Sequence, residues 1–380
     1  MSWRSRKLSQ CAKFRSGGTP SKANSEYWTG DIPWVSSGEM TKSFIEDTTL
    51  HLSPDGAQNG TRVVPRHTVL VVVRGMSLAN EFRVSITQRE MAFNQDVKAL
   101  ECVEDIDPHF LFYALKERKN HIRELATEAS HGTKKLESDV LDSVEILVPE
   151  SLEMQETVAS IARSYDDLIE NNRRRIALLE DAARQLYKEW FVRLRFPGHE
   201  HVKVIDGVPE GWEKLKLGEV LTLQRGFDLP IGSRLEGAVP VYGSTGVVGF
   251  HNTPKVEAPM IITGRSGSLG RVCFVSIPSW PLNTSLWVRE FKRVTPWYAY
   301  FLLSELGLEK FNGGASVPTL DRNVAHAAGV SLPTESLRAV FDELARATFG
   351  MIENLKAQIG ELAKARDLLL PRLMSGSLAV

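Results

Sequence analysis

Apolar positions along this chain follow two rhythms. Short runs such as VLVVV (residues 69–73) and MIIT (residues 260–263) are strand-sized and predict β-strands. Two longer stretches step by three and four. The first carries Val158, Ile161, Tyr165, Ile169, Asn172, Ile176, Leu179, Ala183, Leu186 and Trp190; the second carries Leu337, Phe341, Leu344, Met351, Leu355, Ile359, Leu362 and Leu369. This spacing predicts two long helices, each with a narrow seam of the coiled-coil kind. Pro149 and Pro333 precede the two starts. Pro371 is expected to end the second helix, because proline has no N–H to continue it. Asn172 falls inside the first seam; it is either a buried polar residue that sets register or a partly exposed one in a packed pair.

Each seam needs a partner, and the other helix is the simplest one. The two would pair within the chain, antiparallel if their modules lie at opposite ends. A helix of about forty residues is roughly 60 Å long, so the pair would act as a rigid spacer. The alternative is that each helix packs on its own module.

The rest of the chain repeats itself with a period of about 184 residues, which marks a duplicated module and not a solenoid. VLVVV answers MIIT, and RGMSL (residues 74–78) answers RSGSL (265–269). FNQD (93–96) answers LNTS (282–285), and IDPHFLFYALKE answers VTPWYAYFLLSE. LESDVLDSVEILVP answers LDRNVAHAAGVSLP, and LIENNRRRIALLE answers MIENLKAQIGELA. Six blocks in one order make each half a mixed α/β module followed by a long helix. The fold class expected is α+β: two mixed α/β modules (1–150 and 199–333) joined by two long helices (151–198 and 334–380) that pair as an antiparallel coiled coil. Asp107 and Thr295 are placed as helix N-caps, with Pro108 and Pro296 at the first helical position.

Composition narrows the function classes. The 380 residues are 42% hydrophobic, enough for two or three globular cores. A net charge of −1 argues only weakly against a nucleic-acid binder, since a basic face can sit opposite an acidic one. Cys11, Cys102 and Cys273 lie far apart without metal-ligand spacing, so no zinc site or disulfide framework is expected, and a reducing, cytoplasmic setting is. The N-terminus lacks the apolar core of a signal peptide, and no apolar run is long enough to span a bilayer.

Catalytic patterns are scarce. The stretch GGTPSK (residues 17–22) resembles a phosphate-cradling loop, but the chain has no G-x-x-x-x-G-K-[ST]. GRSGSLG (264–270) lacks dinucleotide-fold spacing and a following helix, and suits a turn between strands. The nine histidines form no H-x-x-x-H pair. What both modules do offer is turn-like stretches rich in Gly, Ser/Thr and Arg/Lys. Such stretches suit duplex DNA, whose phosphates need cationic and amide donors and whose half-sites repeat about every 34 Å. In the first module the candidates are Gly17, Gly18, Thr19, Ser21, Lys22, Ser36, Ser37, Arg74, Ser77, Lys134 and Lys135. In the second they are Arg225, Tyr242, Ser244, Thr245, Arg265, Ser266 and Ser268. SHGTKK (130–135) and NGGAS (312–316) are further donor-rich loops. Taken singly, most of these are better read as ordinary surface loops; recurrence in both copies singles out Arg74 and Arg265. For GGTPSK itself, a DNA-phosphate contact and a tight turn that only shapes the domain stay open side by side.

Four stretches carry a resemblance. GGTPSKANSEYWTGDIPWVSSGEM, LYKEWFVRLRFPGHE (186–200), GVPEGWEKLKLGEV (207–220) and LLLPRLMSG (368–376) are similar to motifs of the specificity subunit of type I restriction–modification systems. The resemblance implies two target recognition domains, each reading half of a bipartite, asymmetric site in double-stranded DNA. It implies no catalysis by this chain. Two methyltransferase subunits would dock and bring S-adenosylmethionine, and restriction subunits would add translocation and cleavage dependent on ATP and magnesium. The chain itself would bind no cofactor and no metal. The second module departs from the first, with RGFDLPIGSR where the first has GGTPS, so the two halves are expected to read different sequences. The alternatives are a coiled-coil assembly scaffold that reads no DNA, and a specificity subunit serving a methyltransferase-only or phage-exclusion system.

Overall fold

The computed structural model describes residues 2–129, 132–314 and 316–378. The chain divides into two compact units, Met1–Arg173 with Lys356–Val380, and Arg174–Leu355. Both long helices supply residues to both units.

The first unit is built around a five-stranded sheet in the order Ala12–Ser16, Val97–Cys102, Val69–Val72, Val84–Thr87, Phe44–Ile45, antiparallel except for the last pair. The apolar run Val69–Val72 is buried on both faces. Val69 and Val71 pack with the helix residues Phe110, Leu111 and Tyr113; Leu70 and Val72 pack with Val35, Met91 and Phe93. Two covered faces explain why this strand is a continuous apolar run instead of an alternating one. A second, four-stranded sheet follows the order His51–Leu52, Ile32–Val35, Met91–Phe93, Val63–Val64. A small ribbon pairs Thr127–Glu128, Lys134–Lys135 and Arg74–Gly75.

The second unit repeats this plan. Leu221–Arg225, Ser285–Phe291, Met260–Gly264 and Val272–Val275 form an antiparallel sheet, flanked by Gly246–His251, Val239–Gly243 and Trp280–Pro281. Met260–Gly264 divides its side chains as Val69–Val72 does: Ile261 enters the main core, while Met260 and Ile262 enter a separate cluster. Both expected N-caps form. The Asp107 carboxylate accepts from Phe110 N–H at 2.8 Å and the Thr295 hydroxyl from Tyr298 N–H at 3.3 Å, each with proline following.

The central helix runs Leu152–Tyr187 and continues through a π turn at Lys188–Val192; the C-terminal helix runs Glu335–Met374. Within the first unit they are antiparallel, for Asp166 meets Arg366 while Asn172, further along, meets Gln358. Asn172 is buried and its amide donates to Gln358 Oε1 at 3.2 Å, so it is the buried polar residue of the seam. Within the second unit, Tyr187, Trp190 and Phe191 surround Phe341 at ring separations of 5.1 to 6.2 Å. Trp190 and Phe191 are therefore packing residues.

Two expectations for the helices are corrected. Leu344 and Met351 are not in the seam: they are 45% and 48% exposed, and Ala345 and Ile352 are buried in their place. The three-and-four spacing allows either set, and the surface that packs against the helix selects one. Pro371 does not end the helix, which continues to Met374. Proline forfeits the bond its N–H would make to Asp367 O, but only one turn follows it, closed by Ser375 N–H on Pro371 O at 3.0 Å.

Candidate nucleic-acid interface

In the first unit the GGTPSK loop turns two ways. A Cβ on Gly17 would lie 2.2 Å from Phe93 O, and one on Gly18 2.0 Å from Gly60 O, so both glycines are required by the domain's own packing. Gly18 N–H donates to Phe93 O at 2.9 Å, Trp34 Nε1–H donates to Gly18 O at 3.0 Å, and Pro20 is buried. Thr19, Ser21 and Lys22 point outward. The Thr19 hydroxyl donates to Gln95 Oε1 at 2.7 Å, which ties the loop to FNQD.

FNQD in turn holds the arginine turn. Asp96 O accepts from Val73 N–H at 2.9 Å and from Arg74 N–H at 3.3 Å. Lys134 stands opposite Gly75 and Lys135 opposite Arg74 in the ribbon, so Arg74 shares one small sheet with a lysine pair far from it in sequence. The exposed Arg74 guanidinium has no partner among the described residues, whereas Lys135 pairs with Glu137 at 2.7 Å. Ser37 Oγ lies 3.9 Å from the point where a Cβ on Gly75 would stand, and Ser37 O accepts from Arg83 Nη1 at 3.2 Å. Ser36 bonds the Glu39 carboxylate at 3.3 Å, and Ser77 opens a one-turn helix, Ser77–Asn80.

The second unit builds a matching surface from different residues. A Cβ on Gly226 would lie 2.2 Å from Leu282 O, the counterpart of the Gly17–Phe93 contact. Arg265 N–H and Ser266 N–H both donate to Thr284 O, at 2.9 and 3.1 Å, as the first arginine turn uses Asp96 O. Ser244 Oγ lies 3.7 Å from the Cβ point of Gly267, as Ser37 does from that of Gly75. Thr245 O accepts from Arg271 Nη1 at 2.9 Å, and Ser268 is exposed at the tip of the loop that folds over Gly264. Side-chain commitments differ between the units. Arg265 Nη1 donates to Asn283 O at 3.1 Å, the Asn283 amide donates to Asp228, and exposed Arg225 lies 3.2 Å from the same carboxylate. Tyr242 is half-buried against the cluster of Met260, Ile262 and Val275, and burial raises its phenol above the usual range.

Sequence reasoning missed three things. It did not pair Gly226 with Gly17, did not pair Ser37 with Ser244, and passed over Asn283, while Arg83 and Arg271 entered only as the ends of the donor-rich stretches VRGMSLANEFR and GRSGSLGR. The signal for the serines is present: IPWVSS and VPVYGS each place serine four residues after proline. Ser130, His131 and Ala315, within the donor-rich loops SHGTKK and NGGAS, lie outside the described residues. Among the described residues no helix is long and apolar enough to cross a membrane.

The DNA specificity domain of type I restriction–modification systems matches residues 1–181. The type I restriction enzyme MjaIX specificity subunit of Methanocaldococcus jannaschii is 25% identical over 412 residues, spanning 100% of this chain and 94% of that protein. The EcoR124I/EcoR124II specificity subunit of Escherichia coli is 26% identical over 163 residues, 42% of this chain and 40% of that one. A crystal structure of the type I restriction–modification S subunit from M. genitalium superposes with a TM-score of 0.60 at 21% identity, covering 98% of this chain and 96% of that one, which shows the shared fold. The specificity domain covers residues 1–181, the MjaIX subunit is similar along the whole chain, and the M. genitalium S subunit shares its fold: the chain is similar throughout to specificity subunits of type I restriction–modification systems.

Proposed function

We propose that each unit reads one half of a bipartite, asymmetric site in duplex DNA. One observation carries this reading: an arginine turn, a serine and a buried-side glycine are brought together twice, on sequences that differ in the outward residues. A common frame with unlike tips suits two half-sites of different sequence, with phosphate contacts positioning and base contacts specifying. The chain contributes no catalysis. S-adenosylmethionine, ATP and magnesium belong on methyltransferase and restriction subunits, and the assembly works in the cytoplasm. The test is to map methylated positions across a genome that expresses the chain with its methyltransferase subunit. Two fixed blocks separated by unspecified bases are expected; a single continuous block, or no preference, overturns the reading.

The C-terminal helix supports a place for a methyltransferase subunit. Val340, Leu344 and Met351 are 50%, 45% and 48% exposed, and steps of four and seven put them on one face. An apolar stripe left outside the chain's own core is the kind of surface a second helix covers. With Leu344→Glu and Met351→Glu together, the chain should keep its thermal midpoint and lose co-purification with the methyltransferase subunit. Undiminished co-purification would place the partner elsewhere.

A further inference from the structure

We infer that Met76 reads the 5-methyl group of a thymine in the half-site recognised by the first unit; this rests on the DNA-reading function proposed above. Met76 is 72% exposed, whereas Leu50, the other large apolar side chain exposed among residues 2–129, reaches 40%. Its exposure is built in. On one side the backbone is held by Val73 and Arg74 N–H on Asp96 O. On the other, Met76 O accepts from Ala79 N–H at 3.2 Å, Glu81 N–H donates to Ser77 O at 2.8 Å, and Leu78 is wholly buried. Gly75, at φ +131°, supplies the sharp turn between the two anchors.

The setting favours DNA over a protein partner. Met76 stands two residues from the Arg74 guanidinium, which has no partner among the described residues, and next to the strand paired with Lys134 and Lys135. An apolar tip among cations fits a base edge flanked by phosphates. The thymine methyl is the one apolar group on a major-groove edge, and the flexible, polarisable thioether of methionine adapts well to it. The arginine turn of the second unit carries no apolar residue at its tip, since Arg265 is followed by Ser266, Gly267 and Ser268. The Met76 contact therefore belongs to the half-site of the first unit.

The experiment uses the full chain in complex with its methyltransferase subunit. Genome mapping defines the motif, and Arg74→Ala marks the block read by the first unit. Competition binding then compares duplexes carrying thymine or uracil at each thymine of that block. One position should bind uracil about fourfold more weakly, the factor for one buried methyl-sized group. Met76→Ala should erase that difference and Met76→Leu should keep it, with the second block unchanged. The inference is overturned if no position distinguishes uracil, if the difference survives Met76→Ala, or if Met76→Ala lowers co-purification while leaving base preference intact. Those three results leave the DNA-reading function standing. A wild-type chain with no two-block motif removes both.

Discussion

Asp166→Asn is expected to destabilise the first unit by about 3–5 kcal/mol, the usual cost of leaving buried charge without its partner. Asp166 is buried on the central helix. Its carboxylate receives Lys116 Nζ at 2.8 Å and Tyr113 OH at 3.1 Å from the helix Pro108–Glu117, and Arg366 from the C-terminal helix. Three helices thus meet on one anion. Burial alone would raise the Asp166 carboxyl, but the charges and hydrogen bonds of Lys116 and Arg366 outweigh it and hold the carboxyl below its ordinary range. Burial pushes the Lys116 ammonium down; Asp166 opposes this and Arg366 adds to it. The two directions differ because one carboxylate serves two cations, and Lys116 is the cation that the site holds less well. Lys116→Met should therefore cost less than about 1 kcal/mol, since Arg366 still pairs with Asp166 and a buried ammonium is removed.

The pH dependence follows from the lowered carboxyl. Its stabilisation is present above the unfolded carboxyl pKa of about 3.9 and is lost as pH falls through the lower folded value. Denaturant midpoints measured from neutral pH into this acid range should fall for the wild type, with this component missing from Asp166→Asn. Equal destabilisation by Asp166→Asn and Lys116→Met would sink the shared-anion account.

Arg74→Ala is expected to relax base choice about 10- to 100-fold at one position of one half-site, the worth of a bidentate arginine–guanine contact. Stability should stay within about 0.5 kcal/mol, because the guanidinium is exposed and unpartnered among the described residues. Arg265→Ala should relax the other half-site and also lower stability by about 1–2 kcal/mol. Its Nη1 donates to Asn283 O, so the substitution loosens the loop that carries the reader. Methylome maps and thermal melts of both variants separate the outcomes. Relaxation of both half-sites by either substitution would reduce these arginines to general phosphate contacts.

The sequence by itself determined what depends on neighbouring residues and on period. The N-caps at Asp107 and Thr295 formed because each cap needs only its own side chain and an amide three residues on. The duplication, the buried strands Val69–Val72 and Met260–Gly264, and the long helices were legible for the same reason. The resemblance to specificity subunits rested on whole motifs and held along the chain. Tertiary structure decided what depends on which surface arrives. Spacing admitted Leu344 and Met351 to the seam, while packing chose Ala345 and Ile352. Asp166 is buried because two other helices close on it, and no local pattern carries that. Gly226 shares no motif with Gly17, yet both are glycine because a strand carbonyl lies 2.2 Å from where a Cβ would stand. Arg74 and Arg265 are equivalent in the repeat, yet the Asn283 carbonyl engages the Arg265 guanidinium, while that of Arg74 has no partner among the described residues.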